Sequence, residues 1–190
     1  MGKNLNDIIK KLERSPQIVT PKDASLILAY SGVPPDARIV DAGSGSGFLS
    51  IFLAWYCPKG KVITYEKRED FFKVAKRNIK ISGLKNIEAK NKDILEGIEE
   101  DGLDLVTLDM KGCEMVIPLA FKKLKKGGCI VVYSPYVEQV IGVIDAMKRC
   151  GLKDVFCVEN IVREWQSEYG FTRPKSQGLM HTGWLVFGKK

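Results

Sequence analysis

The sequence predicts an α/β fold, a seven-stranded, mostly parallel sheet whose last strand runs antiparallel. Three observations predict it. Short β-branched runs alternate with helix-length stretches along most of the chain. A glycine-rich turn, Asp41-Ala42-Gly43-Ser44-Gly45-Ser46-Gly47, joins the first of those runs to an apolar helical stretch. The last two runs follow one another with no helical pattern between them, which reverses the final strand against its neighbour.

The elements follow in order. A helical start near 3–13 leads to a helix over 21–31, with Thr20 at the N-cap position and Pro21 in the first turn. The strand at 38–42 enters the glycine turn and a helix at 47–57. The next strand, 61–66, ends on Glu66, and its helix over 68–82 stops at Gly83. A third strand at 86–91 and a fourth at 103–108 precede a helix near 113–124. Gly127-Gly128 then introduces a fifth strand, 129–133, followed by a helix at 137–150 and a sixth strand at about 153–162. A polar loop bearing glycine and proline fills 165–180, and the seventh strand begins at 183. No repeat or linker divides the chain, so 1–190 reads as a single domain with 1–35 as an N-terminal helical segment.

Composition removes several function classes. An apolar fraction of 45% and a charged fraction of 28% are those of an ordinary globular protein. No apolar run reaches the ~18 residues that span a bilayer, and the N-terminus has no signal-peptide core. No membrane association and a cytoplasmic location are the expectation. The five cysteines include no C-x-x-C pair and His181 is the only histidine, so no metal site is expected. The net charge of +7 and pI of about 9.1 suit a polyanionic partner. A solvated lysine-rich surface is the other reading of that charge.

Strand, glycine turn and helix open a nucleotide-binding βαβ unit. The spacing is G-x-G-x-G rather than the dinucleotide G-x-G-x-x-G, and no Lys-Ser or Lys-Thr follows as in a phosphate loop. Asp41, ahead of the glycines, suits a cationic ligand with an amino-acid tail. Glu66 can accept hydrogen bonds from both ribose hydroxyls. Ligands of such sheets bind at the carboxyl ends of the strands. Asp41, Glu66, Asp93 and Asp109 all lie at or just past such ends, and Asp93-Ile94 is placed for an adenine ring. The segment resembles motif I of the Rossmann-like class I methyltransferases, which implies S-adenosylmethionine as cofactor.

Two further segments are more specific. Arg14-Ser15-Pro16-Gln17-Ile18-Val19-Thr20-Pro21-Lys22-Asp23-Ala24 and the closing His181-Thr182-Gly183-Trp184-Leu185-Val186 resemble the tRNA (adenine-N1) methyltransferases of T-loop adenosine 57 or 58. Tyr65-Glu66-Lys67-Arg68-Glu69-Asp70-Phe71 and Pro135-Tyr136-Val137-Glu138-Gln139-Val140 match the same pattern, so the resemblance covers residues 14 to 190. It implies that Gln17 contacts the cofactor or closes its pocket and that Gly43, Gly45 and Gly47 line the methionine moiety. It puts the ribose on Glu66 and the adenine on Asp93, with Ser44 and Lys67 completing the cofactor set. Asp109 becomes the catalytic carboxylate beside the methyl group, and His181 and Thr20 fall on the substrate side. It implies tRNA as substrate and a homo-oligomer, a tetramer as the family forms.

The chain departs from that family in three places. Strand four is followed by Asp109-Met110-Lys111-Gly112-Cys113 instead of D-x-P-x-P-W. Thr20 stands where a tyrosine is common. Only about thirteen residues precede the shared motif, where many members carry a β-domain. The strand-four segment is also not the Asn/Asp-Pro-Pro-aromatic of amino-directed enzymes, and Cys113 lacks the preceding proline of cytosine-C5 enzymes. The remaining alternatives are a small-molecule methyltransferase of the corrin-ring type and a non-catalytic cofactor-binding subunit of an RNA methyltransferase, supporting an active paralogue; which protein partner it would have is unknown.

Overall fold

The computed structural model describes residues 4–13, 18–178 and 181–190. The elements are α1 (Leu5–Ile9), α2 (Pro21–Ser31), β1 (Arg38–Ala42), α3 (Phe48–Tyr56), β2 (Lys61–Tyr65), α4 (Glu69–Ser82), β3 (Ile87–Lys90), β4 (Leu103–Leu108), α5 (Cys113–Lys123), β5 (Leu124–Ser134), α6 (Val137–Arg149), β6 (Lys153–Glu159), β7 (Trp165–Gln166), β8 (Arg173–Pro174) and β9 (Trp184–Lys189). The main sheet has seven strands in the order β3-β2-β1-β4-β5-β9-β6. β9 slots between β5 and β6 and is antiparallel to both, while the other pairs in the sheet are parallel. The expected architecture is the observed one.

Strand alternation assigns side chains to two cores, one on each face. Ile39, Val62, Leu105, Val131 and Phe187 face α1, α2 and α3. Val40, Ile63, Val106, Leu108, Ile130 and Val186 face α5 and α6. α3 is apolar apart from Ser50 over its first seven residues, and all of these, Phe48 to Ala54, are buried. Helix α4 is more amphipathic, presenting lysines to solvent and Ala75 and Asn78 inward.

Three boundaries differ from the sequence reading. The fifth strand starts at Leu124, because Gly127 and Gly128 sit in a bulge that pairs with Lys190 rather than in a turn before the strand. β6 ends at Glu159, because the Asn160 backbone carbonyl accepts from the Lys22 ammonium and the Asn160 side-chain amide donates to the Lys22 carbonyl. The stretch 165–180 contains a short hairpin, β7 with β8, braced by a 2.6 Å ion pair between Lys175 and Glu164. Among the described residues no helix is long and apolar enough to cross a membrane.

Candidate active site

A cavity of about 630 Å³ opens at the carboxyl edge of the sheet, over the ends of β1, β2 and β4. Its wall contains Gly43, Gly45, Glu66, Lys67, Asp93, Ile94 and Asp109, so seven sequence-chosen residues meet in one place. Residues from four separate strand–helix connections converge because parallel strands all point their carboxyl ends the same way.

Glu66 is the fixed point of the cavity. Its Oε2 accepts from the Gly45 N–H at 3.0 Å and its Oε1 from the Arg68 N–H at 3.0 Å. Each carboxylate oxygen keeps a second lone pair, which leaves two acceptor sites for a diol. Gly43 lies between the two important acids. A Cβ there would stand 3.4 Å from Glu66 Oε2 and 3.7 Å from the Asp109 carbonyl, filling the space a ligand needs. Asp93 accepts from the Leu95 N–H at 3.0 Å, which starts the single 3-10 turn Ile94–Glu96 and sets Ile94 into the wall. Lys67 lies 3.5 Å from the Asp93 carboxylate.

Asp109 follows β4 directly. Its N–H donates to the Ala42 carbonyl at 2.6 Å, which holds the backbone, while its carboxylate has no side-chain partner among the described residues. Burial, with the Asp41 charge behind it, pushes its pKa up to about 7. A carboxylate so placed takes up or stabilises positive charge near neutral pH.

Several sequence-chosen residues are not in the cavity wall. Asp41 is a correction. Residues along β1 alternate faces, so Ala42 lines the cavity and Asp41 points under α3. There it accepts from Ser50 at 2.5 Å, Thr64 at 2.9 Å and Thr107 at 2.7 Å. Burial raises its pKa against those three hydroxyls. Since Thr64 donates to Asp41, Ser44 must donate to Thr64 across their 2.6 Å contact, so the Ser44 hydroxyl also serves the fold. Gly47 is the N-cap of α3 at φ +76°, and a Cβ there would press on Ala75 of α4 at 3.4 Å. Gln17 lies outside the described residues.

Thr20 and His181 sit along the same edge but off this cavity. Thr20 precedes α2, and its hydroxyl donates to Asp23 at 2.9 Å and accepts no capping hydrogen bond from a backbone N–H. It borders a second cavity of about 880 Å³ with Lys22, Arg163, Lys175 and Gln177. His181 is exposed, with Nδ1 2.7 Å from Glu159 and Nε2 3.3 Å from the Pro135 carbonyl. The Glu159 hydrogen bond raises its pKa. Its ring packs on Trp184 with centroids 4.3 Å apart.

Sequence reasoning missed Arg68, Phe71, Lys92, Met110 and Lys111, which complete the wall. Arg68 lies over the Phe71 ring, 4.1 Å from its centroid. It also missed Asn78 of α4, fully buried, which donates to the carbonyls of Ser46 and Glu13 at 2.8 Å each and so ties the glycine loop to the N-terminal segment. An asparagine among lysines on a helix gives no signal of that kind. The role of Gly183 was equally hidden. The Tyr133 ring packs over it, 2.6 Å from where a Cβ would be, and the Tyr133 hydroxyl donates to the Thr182 carbonyl at 2.5 Å.

Comparison with known proteins bears on this geometry. The family model described as the tRNA methyltransferase complex GCD14 subunit matches residues 9–171. The tRNA (adenine(57)-N(1)/adenine(58)-N(1))-methyltransferase TrmI of Methanocaldococcus jannaschii is 34% identical over 211 aligned positions, covering 96% of this chain and 75% of that protein. Among solved structures, TrmI of Aquifex aeolicus, a tRNA (m1A58) methyltransferase, superposes with a TM-score of 0.90 at 29% identity, over 99% of this chain and 76% of that one. A Thermotoga maritima structure described as a SAM-dependent O-methyltransferase superposes with a TM-score of 0.92 at 32% identity, over 99% of this chain and 71% of that one.

Proposed function

The chain belongs to the tRNA methyltransferase family of the GCD14 subunit, and we propose that it methylates N1 of an adenine in tRNA with S-adenosylmethionine as donor. One observation carries the reading: Asp109, a carboxylate with no side-chain partner among the described residues, opens into the same cavity as the glycine cradle and Glu66. The residues suit the donor. Glu66 offers acceptors for the ribose diol, Gly43 and Gly45 let the backbone approach closely, and Asp93 with Ile94 would hold the adenine end. The cofactor supplies an electrophilic methyl group on a sulfonium.

The protein's own contribution is placement and charge. As N1 of the target base is alkylated, positive charge builds on the adenine ring and its exocyclic amine becomes more acidic. Asp109 accepts a hydrogen bond from that amine and stabilises the cation. The carboxylate is the active form, so kcat/KM rises with pH through about 7, the pKa of Asp109 in the free protein. The net charge of +7 draws a polyanionic RNA to the surface.

The reading includes a homo-oligomer, a tetramer. Ile161, Val162, Trp165, Tyr169 and Phe171 are all exposed along the exit of β6 and the β7–β8 hairpin, a run of apolar surface that a second copy would cover. Sedimentation of a 21.2 kDa species at micromolar concentration would count against it.

The purified chain is incubated with labelled cofactor and unmodified tRNA, and the product nucleosides are identified by mass spectrometry. N1-methyladenosine is the expected product. Asp109→Ala should lower turnover about 10²–10⁴-fold while the cofactor still binds. Transfer to a tetrapyrrole but not to tRNA would replace the substrate class. Cofactor binding with no transfer to either would leave a non-catalytic subunit.

A further inference from the structure

Four cationic side chains line the active-site cavity: Lys67, Arg68, Lys92 and Lys111. Three of them are neutralised by the fold. Lys67 has Asp93 at 3.5 Å, Arg68 has Asp70 at 2.6 Å, and Lys92 pairs with Glu99. Lys111 is exposed and has no acidic partner among the described residues. It stands two residues beyond Asp109, on the connection from β4 to α5. Gly112, at φ +75°, turns that connection into α5, and the Met115 side chain packs across it, within 2.9 Å of where a Cβ would be. The ammonium is therefore carried on an anchored loop at the mouth of the cavity.

A bare cation there works against the donor. S-adenosylmethionine bears a sulfonium, an ammonium and a carboxylate, a net positive charge, and an unshielded lysine beside it is repulsive. The arrangement becomes favourable once an anion enters from the open side. A nucleotide whose base sits against Asp109 brings its own phosphodiester, and lysine binds phosphate as a mobile point charge. We propose that Lys111 grips the backbone phosphate of the nucleotide being methylated and so positions the target base. This assignment rests on the tRNA reading above.

Binding of unmodified tRNA and its methylation are measured over a series of salt concentrations for the wild type, Lys111→Gln and Lys111→Arg. Cofactor affinity is measured calorimetrically on the same proteins. Lys111 is exposed, so neither variant disturbs the core. Lys111→Gln should weaken tRNA binding about five-fold and flatten the plot of log Kd against log salt by roughly 0.7–0.9, the loss of one phosphate contact. Cofactor affinity should hold or rise, because Lys111→Gln removes a charge that repels the donor, and Lys111→Arg should restore both tRNA affinity and slope. An unaltered tRNA affinity and slope in Lys111→Gln would overturn the assignment. So would a loss confined to cofactor binding, which would put the lysine on the methionine carboxylate. A wild type that transfers nothing to tRNA overturns the tRNA reading and this assignment together, an outcome distinct from an active wild type with a silent Lys111→Gln.

Discussion

Two sites along the sheet's carboxyl edge treat their carboxylates in opposite ways. Over β1, β2 and β4, Glu66 and Asp109 keep acceptor positions facing an open cavity. Over β5, β9 and β6, Asp23 is spent entirely on the chain itself. It is 1% exposed and accepts from Thr20, Lys22 and Thr182. Lys22 uses all three of its donors there, on Asp23 at 2.7 Å, the Asn160 carbonyl at 2.6 Å and Thr182 at 2.7 Å. The first leaves acceptors open to the cavity, and the second is a clasp fastening the start of α2 to the last strands. An acid at a strand end or helix start is available to a ligand when its acceptors remain open and belongs to the scaffold when the chain has filled them.

That contrast can be broken most directly at Asp23. Asp23→Ala strands the Lys22 ammonium, which is 16% exposed, and should cost about 3–5 kcal/mol of stability as for other broken buried pairs. Denaturant unfolding would show it, with cofactor affinity intact in the protein that remains folded. A loss of cofactor binding at full stability would mean that the clasp belongs to the ligand site.

Glu66→Ala is the complementary change. It should weaken cofactor binding by about 2–4 kcal/mol, read by calorimetry. The melting temperature should move less, because the freed Gly45 and Arg68 N–H groups border the cavity, where water replaces the carboxylate. If stability falls and affinity holds, the two sites along the edge are not different in kind.

Gly183→Ala tests how tightly the clasp is packed against the site. The added methyl meets the Tyr133 ring at 2.6 Å, and overpacking of that kind costs about 1–3 kcal/mol. Relief of the penalty in a double variant with Tyr133→Ala would confirm the contact as its source.

The smallest effect is a pH dependence at Asp109. Its folded pKa is raised to about 7 from 3.8, so between those values the native state binds more protons than the unfolded one. Stability therefore falls as pH rises through that window, and the penalty is complete above about 7 and absent below about 4. Asp109→Asn removes it and should be more stable than the wild type at pH 8 by on the order of 1–2 kcal/mol, since water in the cavity screens part of the shift. Thermal melts that differ equally at pH 4 and pH 8 would rule this out.

The sheet was legible because its evidence is local. Arg38-Ile39-Val40 and Cys129-Ile130-Val131-Val132 are β-branched runs whose period and length do not depend on distant residues. Glu66 and Asp109 fall in one cavity for a related reason: a parallel sheet gathers its strand ends, so residues at those ends meet whatever the helices contain. Asp41 was read into the same group because position alone does not say which face a side chain takes. The period of two along β1 sends it under α3, and three hydroxyls from α3, β2 and β4 then claim it.

What the sequence by itself determined is the order of strands and helices, the turn chemistry of the glycine loop and the acids carried at the strand ends. All of these follow from backbone preference and side-chain period within a few residues. Tertiary structure alone decided which polar groups remain available. Lys22 meets Thr182 across 160 positions of chain and Asn78 meets the Glu13 backbone across 65, so their partners cannot be read from neighbours. Lys111 is singled out only after Asp93, Asp70 and Glu99 have taken the other cations of the cavity. Saturation of a donor or acceptor depends on every group within a few ångströms in the folded protein, and the chain brings some of those groups in from far away.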